Sequence, residues 1–171
     1  ATDYQKEKYL KKLLNGEMVI GLGMTEPNAG SAVTDLTTKA VQDGKGFRVS
    51  GSKVFTSNSP DADIFLIYVR YHEGINGIGS VIMDTSMPGF SKGKSSKYTN
   101  GEEWCALYFD NVYIPEENVL LGPGGFKKQI SGFNAERIGN SARSLALGEF
   151  AFNVAKELSL IHISEPTRRW W

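Results

Sequence analysis

A short polar segment, residues 23–31, carries the residue types best suited to chemistry in this 171-residue chain. It reads Gly-Met-Thr-Glu-Pro-Asn-Ala-Gly-Ser and follows the apolar run 18–22. The hydroxyls of Thr25 and Ser31, with free backbone N–H groups at a turn around Gly30, place several donors in a small space. Convergent donors of this kind suit a flat polar heterocycle or a phosphate. An ordinary polar turn uses the same residue types, so the segment alone leaves both interpretations open.

Three further segments extend the pattern. Residues 53–58 read Lys-Val-Phe-Thr-Ser-Asn, residues 109–122 read Phe-Asp-Asn-Val-Tyr-Ile-Pro-Glu-Glu-Asn-Val-Leu-Leu-Gly, and residues 133–138 read Phe-Asn-Ala-Glu-Arg-Ile. In this order and at these separations, the four segments resemble the signatures of the acyl-CoA dehydrogenase flavoproteins. The resemblance covers roughly residues 4–157 and implies an FAD cofactor and oxidation of an acyl-CoA thioester to the 2-enoyl-CoA.

The first two segments match the flavin-contacting positions of that family. The resemblance implies that Phe55 flanks the flavin ring, although from the residues alone Phe55 also fits an ordinary strand-core aromatic. It further implies that the Ser57 hydroxyl lies near flavin N5, and that Gly30 and Ser31 meet the flavin pyrophosphate and the pantetheine arm of the substrate. Many relatives carry Trp-Ile-Thr at 55–57. The implied cofactor contacts are Leu22, Met24, Thr25, Gly30, Ser31, Phe55, Thr56 and Ser57.

Glu136 is the candidate catalytic base. The resemblance implies that a carboxylate removes the α proton of the substrate, and a minority branch, including isovaleryl- and long-chain-specific enzymes, carries this base just before an arginine. Glu136-Arg137 stands at that position. In most relatives the base lies further downstream, and Glu136 is then an exposed or ion-paired helix residue. Asn134 and Arg137 match residues that line the CoA channel, so we expect them, with Ser31, to bind substrate.

Local periodicity predicts the elements that position these residues. Residues 4–14 have the spacing of a short amphipathic helix. Short and alternating apolar runs, separated by turn pairs such as Asp43-Gly44, fill residues 19–121, and a helical period follows. We therefore predict a mainly β fold with flanking helices, in which an antiparallel β-barrel or sandwich forms the middle domain of an α+β protein. The predicted apolar face of the first helix comprises Tyr9, Leu10, Leu13 and Leu14.

The resemblance divides the chain into four parts. Residues 1–18 end an N-terminal helical domain, and residues 19–121 form the middle β domain that binds flavin and substrate. Residues 122–157 form a hinge and the first helix of a C-terminal helical domain. Residues 158–171 do not continue the family's helical pattern, and we interpret them as a non-native tail that carries no function.

Composition excludes several classes of partner. The 19 basic and 19 acidic residues cancel, so there is no basic surplus for nucleic acid. No apolar run approaches the ~20 residues of a membrane span. The single cysteine, Cys105, excludes an internal disulfide, and no Cys–His spacing predicts a metal site. We expect a cytoplasmic location, or the mitochondrial matrix in a eukaryote.

The resemblance also implies partners. We expect an acyl-CoA substrate, electron-transfer flavoprotein as acceptor, and a homotetramer or homodimer for a full-length protein, with this piece inactive alone. Two alternatives stay open: an acyl-CoA oxidase or other flavin oxidase on the same scaffold, and a standalone β-sandwich binding module. Reoxidation by oxygen distinguishes an oxidase, and a downstream helical bundle excludes the module.

Overall fold

The computed structural model describes residues 1–164, with side chains through residue 160. The chain divides into two units, Ala1–Gln129 and the segment from Ile130 onward. The first unit holds the N-terminal helices and the sheet, and the second consists of one long helix. The division lies a few residues beyond the hinge predicted at residue 122.

The N-terminal segment is helical, as predicted, but its buried side differs from the prediction. Gln5 and Tyr9 are buried, whereas Leu10 and Leu14 are 43% and 78% exposed. A π-helical turn interrupts the segment and changes which side chains face the sheet, so the predicted apolar face was partly wrong. The pieces are α1 (Asp3–Gln5), the π-helical turn (Lys6–Leu10) and α2 (Lys11–Leu14).

Within residues 1–164, nine strands form a single sheet with the order β6-β8-β3-β2-β4-β5-β9, in which β1 pairs with β4 and β7 pairs with β8. Most pairs are antiparallel, which confirms the predicted class. The strands are β1 (Ile20–Gly23), β2 (Lys39–Asp43), β3 (Gly46–Ser57), β4 (Ile64–Arg70), β5 (Ile78–Asp84), β6 (Phe90–Lys92), β7 (Ser96–Lys97), β8 (Glu103–Ile114) and β9 (Val119–Leu121).

Two pairings of this sheet are parallel and were not predicted. β1 runs parallel to β4, with Ile20 opposite Ile64, and β2 meets β4 in parallel at Lys39 and Arg70. The β2–β3 hairpin lies between β1 and β4 in the sequence, so the parallel arrangement needs no crossover helix.

One buried core collects side chains from both halves of the sheet. Val49 of β3, Phe65 of β4, Val81 of β5 and Leu107 of β8 are fully buried in the same cluster. Because β8 and β5 are far apart in the strand order, the sheet must curve around this core, as a barrel or sandwich requires. Burial of each such side chain contributes about 1.5–3 kcal/mol relative to exposure.

The second unit consists of most of α3 (Phe126–Ser164). Most of its large apolar side chains are exposed, with Leu145 at 74% and Phe152 at 67%. The helix continues through Leu158, so the backbone does not break where the tail was predicted to begin. Residues 165–171 lie outside the described residues, and the non-native origin of 158–171 stays a prediction.

Candidate functional site

The first predicted flavin segment begins on β1, whose two glycines face inward. A Cβ at Gly21 would lie 2.5 Å from the Phe65 ring, and one at Gly23 would lie 2.5 Å from the Ile67 side chain. Glycine is therefore required at both positions for β1 to approach β4. The side chain of Leu22 points the other way and is 37% exposed.

Beyond β1 the chain closes into a tight turn. The backbone N–H groups of Glu26 and Ala29 each donate to the other residue's carbonyl, both at 3.1 Å. Gly30 and Ser31 follow the turn and are exposed. In the part of the chain that the structure describes, the hydroxyls of Thr25 and Ser31 have no hydrogen-bond partner, so they are available to a ligand.

A buried ion pair fixes this turn to β3. The Lys53 ammonium donates to Glu26 Oε1 at 2.8 Å and to the Met24 carbonyl at 3.2 Å, and the two charged side chains are 0% and 4% exposed. Thr38 donates to the same carboxylate oxygen through its N–H at 2.9 Å and its hydroxyl at 2.6 Å. Thr37 donates to Oε2 through its N–H at 2.6 Å and its hydroxyl at 2.7 Å.

The donors around the carboxylate decide its charge. Burial alone raises the pKa of Glu26, but the Lys53 ammonium and the hydrogen bonds from Lys53, Thr38 and Thr37 outweigh it, so the pKa lies below its ordinary value. Burial lowers the pKa of Lys53, and the attraction of Glu26 offsets part of that effect. The carboxylate is therefore charged at neutral pH, and the pair links two segments that are far apart in the sequence.

The second predicted segment contains a β-bulge with strained backbone. Lys53 pairs with Leu107 and Thr56 pairs with Cys105, so the two intervening residues of β3 oppose one residue of β8. Phe55 lies in this bulge with a φ of +56°. A left-handed backbone costs a bulky residue about 1–3 kcal/mol and persists only where the surroundings hold it, commonly at functional sites.

The bulge brings the two predicted segments together. The Val54 N–H donates to the Thr25 carbonyl at 2.9 Å. Phe55 is 56% exposed and Ser57 is exposed beside it, with no hydrogen-bond partner for the Ser57 hydroxyl among the described residues. An outward aromatic ring next to open hydroxyl donors fits a flat heteroaromatic cofactor such as a flavin.

Thr56 faces the opposite way from its neighbours. Its side chain is 1% exposed, and its hydroxyl has no hydrogen-bond partner within the described residues. Its methyl group lies 3.4 Å from the position of a Cβ on Gly21, between β3 and β1. Any contact between Thr56 and a cofactor therefore involves its backbone.

The predicted base, Glu136, and two of the predicted substrate residues, Asn134 and Arg137, lie in the second unit. Glu136 is exposed on α3. The Arg137 guanidinium donates to the Asn134 side-chain oxygen at 2.9 Å, one helical turn away. The two residues predicted to contact CoA therefore contact each other.

Sequence reasoning missed three residues that build the first unit's site: Glu26, Lys53 and Arg70. The Arg70 guanidinium donates to the carbonyls of Leu36 at 2.9 Å and Gly74 at 3.0 Å, and also to that of Thr34. It thus fixes the loop that follows the first segment. A signal for Lys53 was present, because it follows Val49 at an even spacing on the inward face of β3.

Metal centres and membrane spans are both missing from the part of the chain that the structure describes. No group of three or more histidine, cysteine, aspartate or glutamate side chains there is arranged to hold a metal ion. No helix among the same residues is sufficiently long and apolar to cross a membrane.

Known proteins share this arrangement. Residues 21–112 match the family model described as acyl-CoA dehydrogenase, middle domain. The chain is 36% identical over 156 residues to mitochondrial isovaleryl-CoA dehydrogenase of Oryza sativa subsp. japonica, covering 88% of the chain and 38% of that protein. The chain thus spans about two fifths of the length of the curated relatives it matches.

Solved structures agree with the sequence matches. A probable acyl-CoA dehydrogenase from Mycobacterium abscessus superposes with a TM-score of 0.87 at 31% identity, over 91% of this chain and 43% of that one. Butyryl-CoA dehydrogenase from Megasphaera elsdenii gives a TM-score of 0.85 at 33% identity, over 91% and 42%. The chain therefore belongs to the acyl-CoA dehydrogenase family.

Proposed function

We propose that this chain is the flavin-binding middle portion of an acyl-CoA dehydrogenase that converts an acyl-CoA thioester to its 2-enoyl-CoA. The observation that carries the proposal is the left-handed Phe55, held in a β-bulge that is hydrogen-bonded to the first predicted flavin segment through Val54 and Thr25. FAD, when bound, supplies the acceptor for the hydride that leaves the β carbon.

In this proposal, side chains and backbone groups of the first unit bind the flavin and orient it. Phe55 packs against the cofactor ring and excludes water from it, and the Ser57 hydroxyl donates a hydrogen bond at the ring edge. Thr25, with the backbone at Leu22 and Met24, would also hold the edge of the flavin ring. These interactions depend on prior positioning of each donor, which is what the Glu26–Lys53 pair provides. Gly30 and Ser31 bind the phosphate side.

We assign the α3 residues to substrate binding and to proton abstraction. Asn134 and Arg137 bind the CoA portion, and Ser31 is assigned to the pantetheine arm of the substrate. Glu136 is the base that removes the α proton, and its carboxylate acts best if an apolar environment raises its proton affinity. If the base lies elsewhere in the full-length protein, Glu136 is a surface residue or lines the CoA channel.

The whole protein's partners are part of the proposal. An acyl-CoA is the substrate, electron-transfer flavoprotein is the acceptor, and full-length subunits assemble as a homotetramer or homodimer in the cytoplasm or the mitochondrial matrix. The 171-residue chain alone binds FAD weakly and does not turn over. The exposed apolar side chains of α3 support this, because the chain offers them no partner among its described residues.

The full-length open reading frame provides the decisive test. Its purified product should contain FAD, and anaerobic addition of isovaleryl-CoA or butyryl-CoA should bleach the flavin. Reoxidation by electron-transfer flavoprotein, and slow reoxidation by oxygen, identify a dehydrogenase. Rapid reoxidation by oxygen with release of peroxide would instead identify an oxidase, and a product without bound flavin would refute both.

Ser57→Ala tests the cofactor assignment within that protein. We expect flavin reduction by substrate to slow by about fivefold to tenfold, because a hydrogen bond to a neutral group contributes about 1 kcal/mol. Ser91→Ala, at an exposed position on β6, is the matched control and should leave the rate unchanged. Unchanged FAD content, redox potential and reduction rate in Ser57→Ala would refute the role of Ser57.

A further inference from the structure

The backbone at Phe55 lacks the usual support of a strand. The register between β3 and β8 skips from Lys53 to Thr56, so the ladder does not pair Phe55 with a residue of β8. A φ of +56° is unfavourable for a residue with a Cβ. Interactions outside the ladder must therefore hold this conformation.

Two aromatic residues on the neighbouring hairpin supply such interactions. The Tyr98 hydroxyl donates to the Phe55 carbonyl at 3.0 Å. The Trp104 ring lies 4.6 Å from the Phe55 ring, centroid to centroid, at an interplanar angle of 47°. Tyr98 in turn stacks on Trp104 at 6.1 Å. Tyr98 thus holds the backbone carbonyl of Phe55, and Trp104 holds its ring.

The position of this cluster relates it to the predicted cofactor contacts. Trp104 pairs directly with Ser57 across the β3–β8 ladder. Tyr98 and Trp104 are half-buried, whereas Phe55 is the outermost ring of the three. Tyr98 is itself fixed by the turn that precedes β8, where its N–H donates to the Glu102 carbonyl at 2.8 Å.

We propose that Tyr98 and Trp104 are positioning residues that hold Phe55 in its left-handed bulge and thereby set the flavin-contacting surface of β3. The inference rests on the proposed function. It adds two residues of the β7–β8 hairpin that act through Phe55 and Ser57 rather than through contact with substrate. Trp104→Phe should preserve this support because it keeps a ring against Phe55, whereas Trp104→Ala should remove it.

The first experiment reads the backbone of Phe55 and needs no cofactor. Backbone chemical shifts of Phe55 are measured by NMR in the 171-residue chain and in Trp104→Ala, Trp104→Phe and Tyr98→Phe. Tyr108→Ala is the matched control, since Tyr108 is a 50% exposed aromatic on the same strand. We expect Phe55 shifts to leave the left-handed range in Trp104→Ala, to move partly in Tyr98→Phe, and to stay in the other two.

The second experiment measures FAD affinity of the same proteins by titration of flavin fluorescence. Trp104→Ala should bind FAD about 3- to 10-fold more weakly, the loss expected for one aromatic contact. Trp104→Phe and Tyr108→Ala should stay within about twofold of the wild type on the same basis. Unchanged Phe55 shifts and unchanged FAD affinity in Trp104→Ala would overturn the inference.

The two experiments separate this inference from the proposed function. If Trp104→Ala alters the Phe55 backbone but the full-length protein does not bind FAD, the cofactor assignment fails and with it the flavin half of the inference. If the unsubstituted chain binds FAD and Trp104→Ala changes the affinity no more than Tyr108→Ala does, the proposed function stands and the positioning role is wrong.

Discussion

The first unit, Ala1–Gln129, is called the sheet unit here, and it differs from α3 in how its side chains are buried. In the sheet unit, Phe65 and Leu107 are fully buried and the charged Lys53 is paired with Glu26. On α3, Ile138 and Leu145 are 73% and 74% exposed. The sheet unit therefore has a buried core and a paired buried charge, whereas α3 exposes apolar side chains that need another surface to cover them.

The same difference applies to the chemistry. The cofactor-contacting groups predicted on β1 and β3 are fixed by bonds within the first unit, such as that between Val54 and Thr25. The predicted base, Glu136, is an exposed residue of α3. Substitution of the buried ion pair in the first unit should consequently change stability, whereas substitution of Glu136 on α3 should change turnover.

The largest expected loss of stability comes from substitutions in the buried Glu26–Lys53 ion pair. Lys53→Met or Glu26→Gln should each lower the free energy of unfolding by about 3–5 kcal/mol, because each leaves a buried polar partner uncompensated. The double substitution should be less damaging than the two single effects added together. Urea unfolding followed by near-UV circular dichroism measures all three.

An exposed pair on the same sheet gives the control. Lys97 lies 3.1 Å from Glu103, with side chains 69% and 40% exposed. Lys97→Met should change stability by less than about 1 kcal/mol. Equal losses from Lys53→Met and Lys97→Met would show that burial of the pair does not matter.

The second prediction concerns Glu136 on α3 and the rate of flavin reduction. In the full-length protein, Glu136→Gln should bind FAD and substrate normally but lose about 100-fold or more in the rate of flavin reduction, because the amide cannot accept the α proton. The exposed position of Glu136 predicts an unchanged melting temperature. Glu149→Gln, an exposed position further along α3, is the control. A near-wild-type rate of reduction would assign the base to another residue.

A change of pH should have a smaller effect on stability, through the Glu26 carboxylate. The pKa of Glu26 is lowered from 4.5 to about 2 in the folded chain, so its contribution to stability is complete above pH 4.5 and is lost as pH falls toward 2. The stability difference between the wild type and Glu26→Gln should therefore shrink as the pH falls below 4.5. A difference that stays constant down to about pH 2.5 would contradict this account of the ion pair.

The sequence predicted what depends on local pattern. Turn glycines such as Gly44 and Gly101 adopt φ values of +61° and +88°, and they separate strands close to the predicted runs. The strand β8 continues through Asn111, which takes a φ of +55° without ending the ladder. Local propensity alone cannot specify such a continuation across an irregular residue.

What escaped prediction depends on distant contacts. A lysine is rarely buried, and Lys53 is buried only because Glu26, 27 residues earlier in the sequence, supplies its counter-charge. The left-handed Phe55 contradicts the β propensity of phenylalanine and depends on the β7–β8 hairpin. These exceptions cluster around the predicted cofactor contacts, where local preferences are expected to yield to function.

The smallest expected effect concerns the end of the chain. Deletion of residues 158–171 should leave the melting temperature of the sheet unit unchanged, since every buried side chain of its core precedes residue 115. The helix runs through Leu158 without a break, and the side chains of Leu158 and Leu160 are exposed. A loss of about 1 kcal/mol would lower the melting temperature of a domain of this size by a few degrees, which differential scanning calorimetry resolves. Such a fall would show that the segment packs natively and would reject its interpretation as a non-native tail.

An unchanged transition, together with a deletion of 130–157 that reduces self-association, would confirm the contrast between a sheet unit with its own core and a helix whose apolar surface requires another partner.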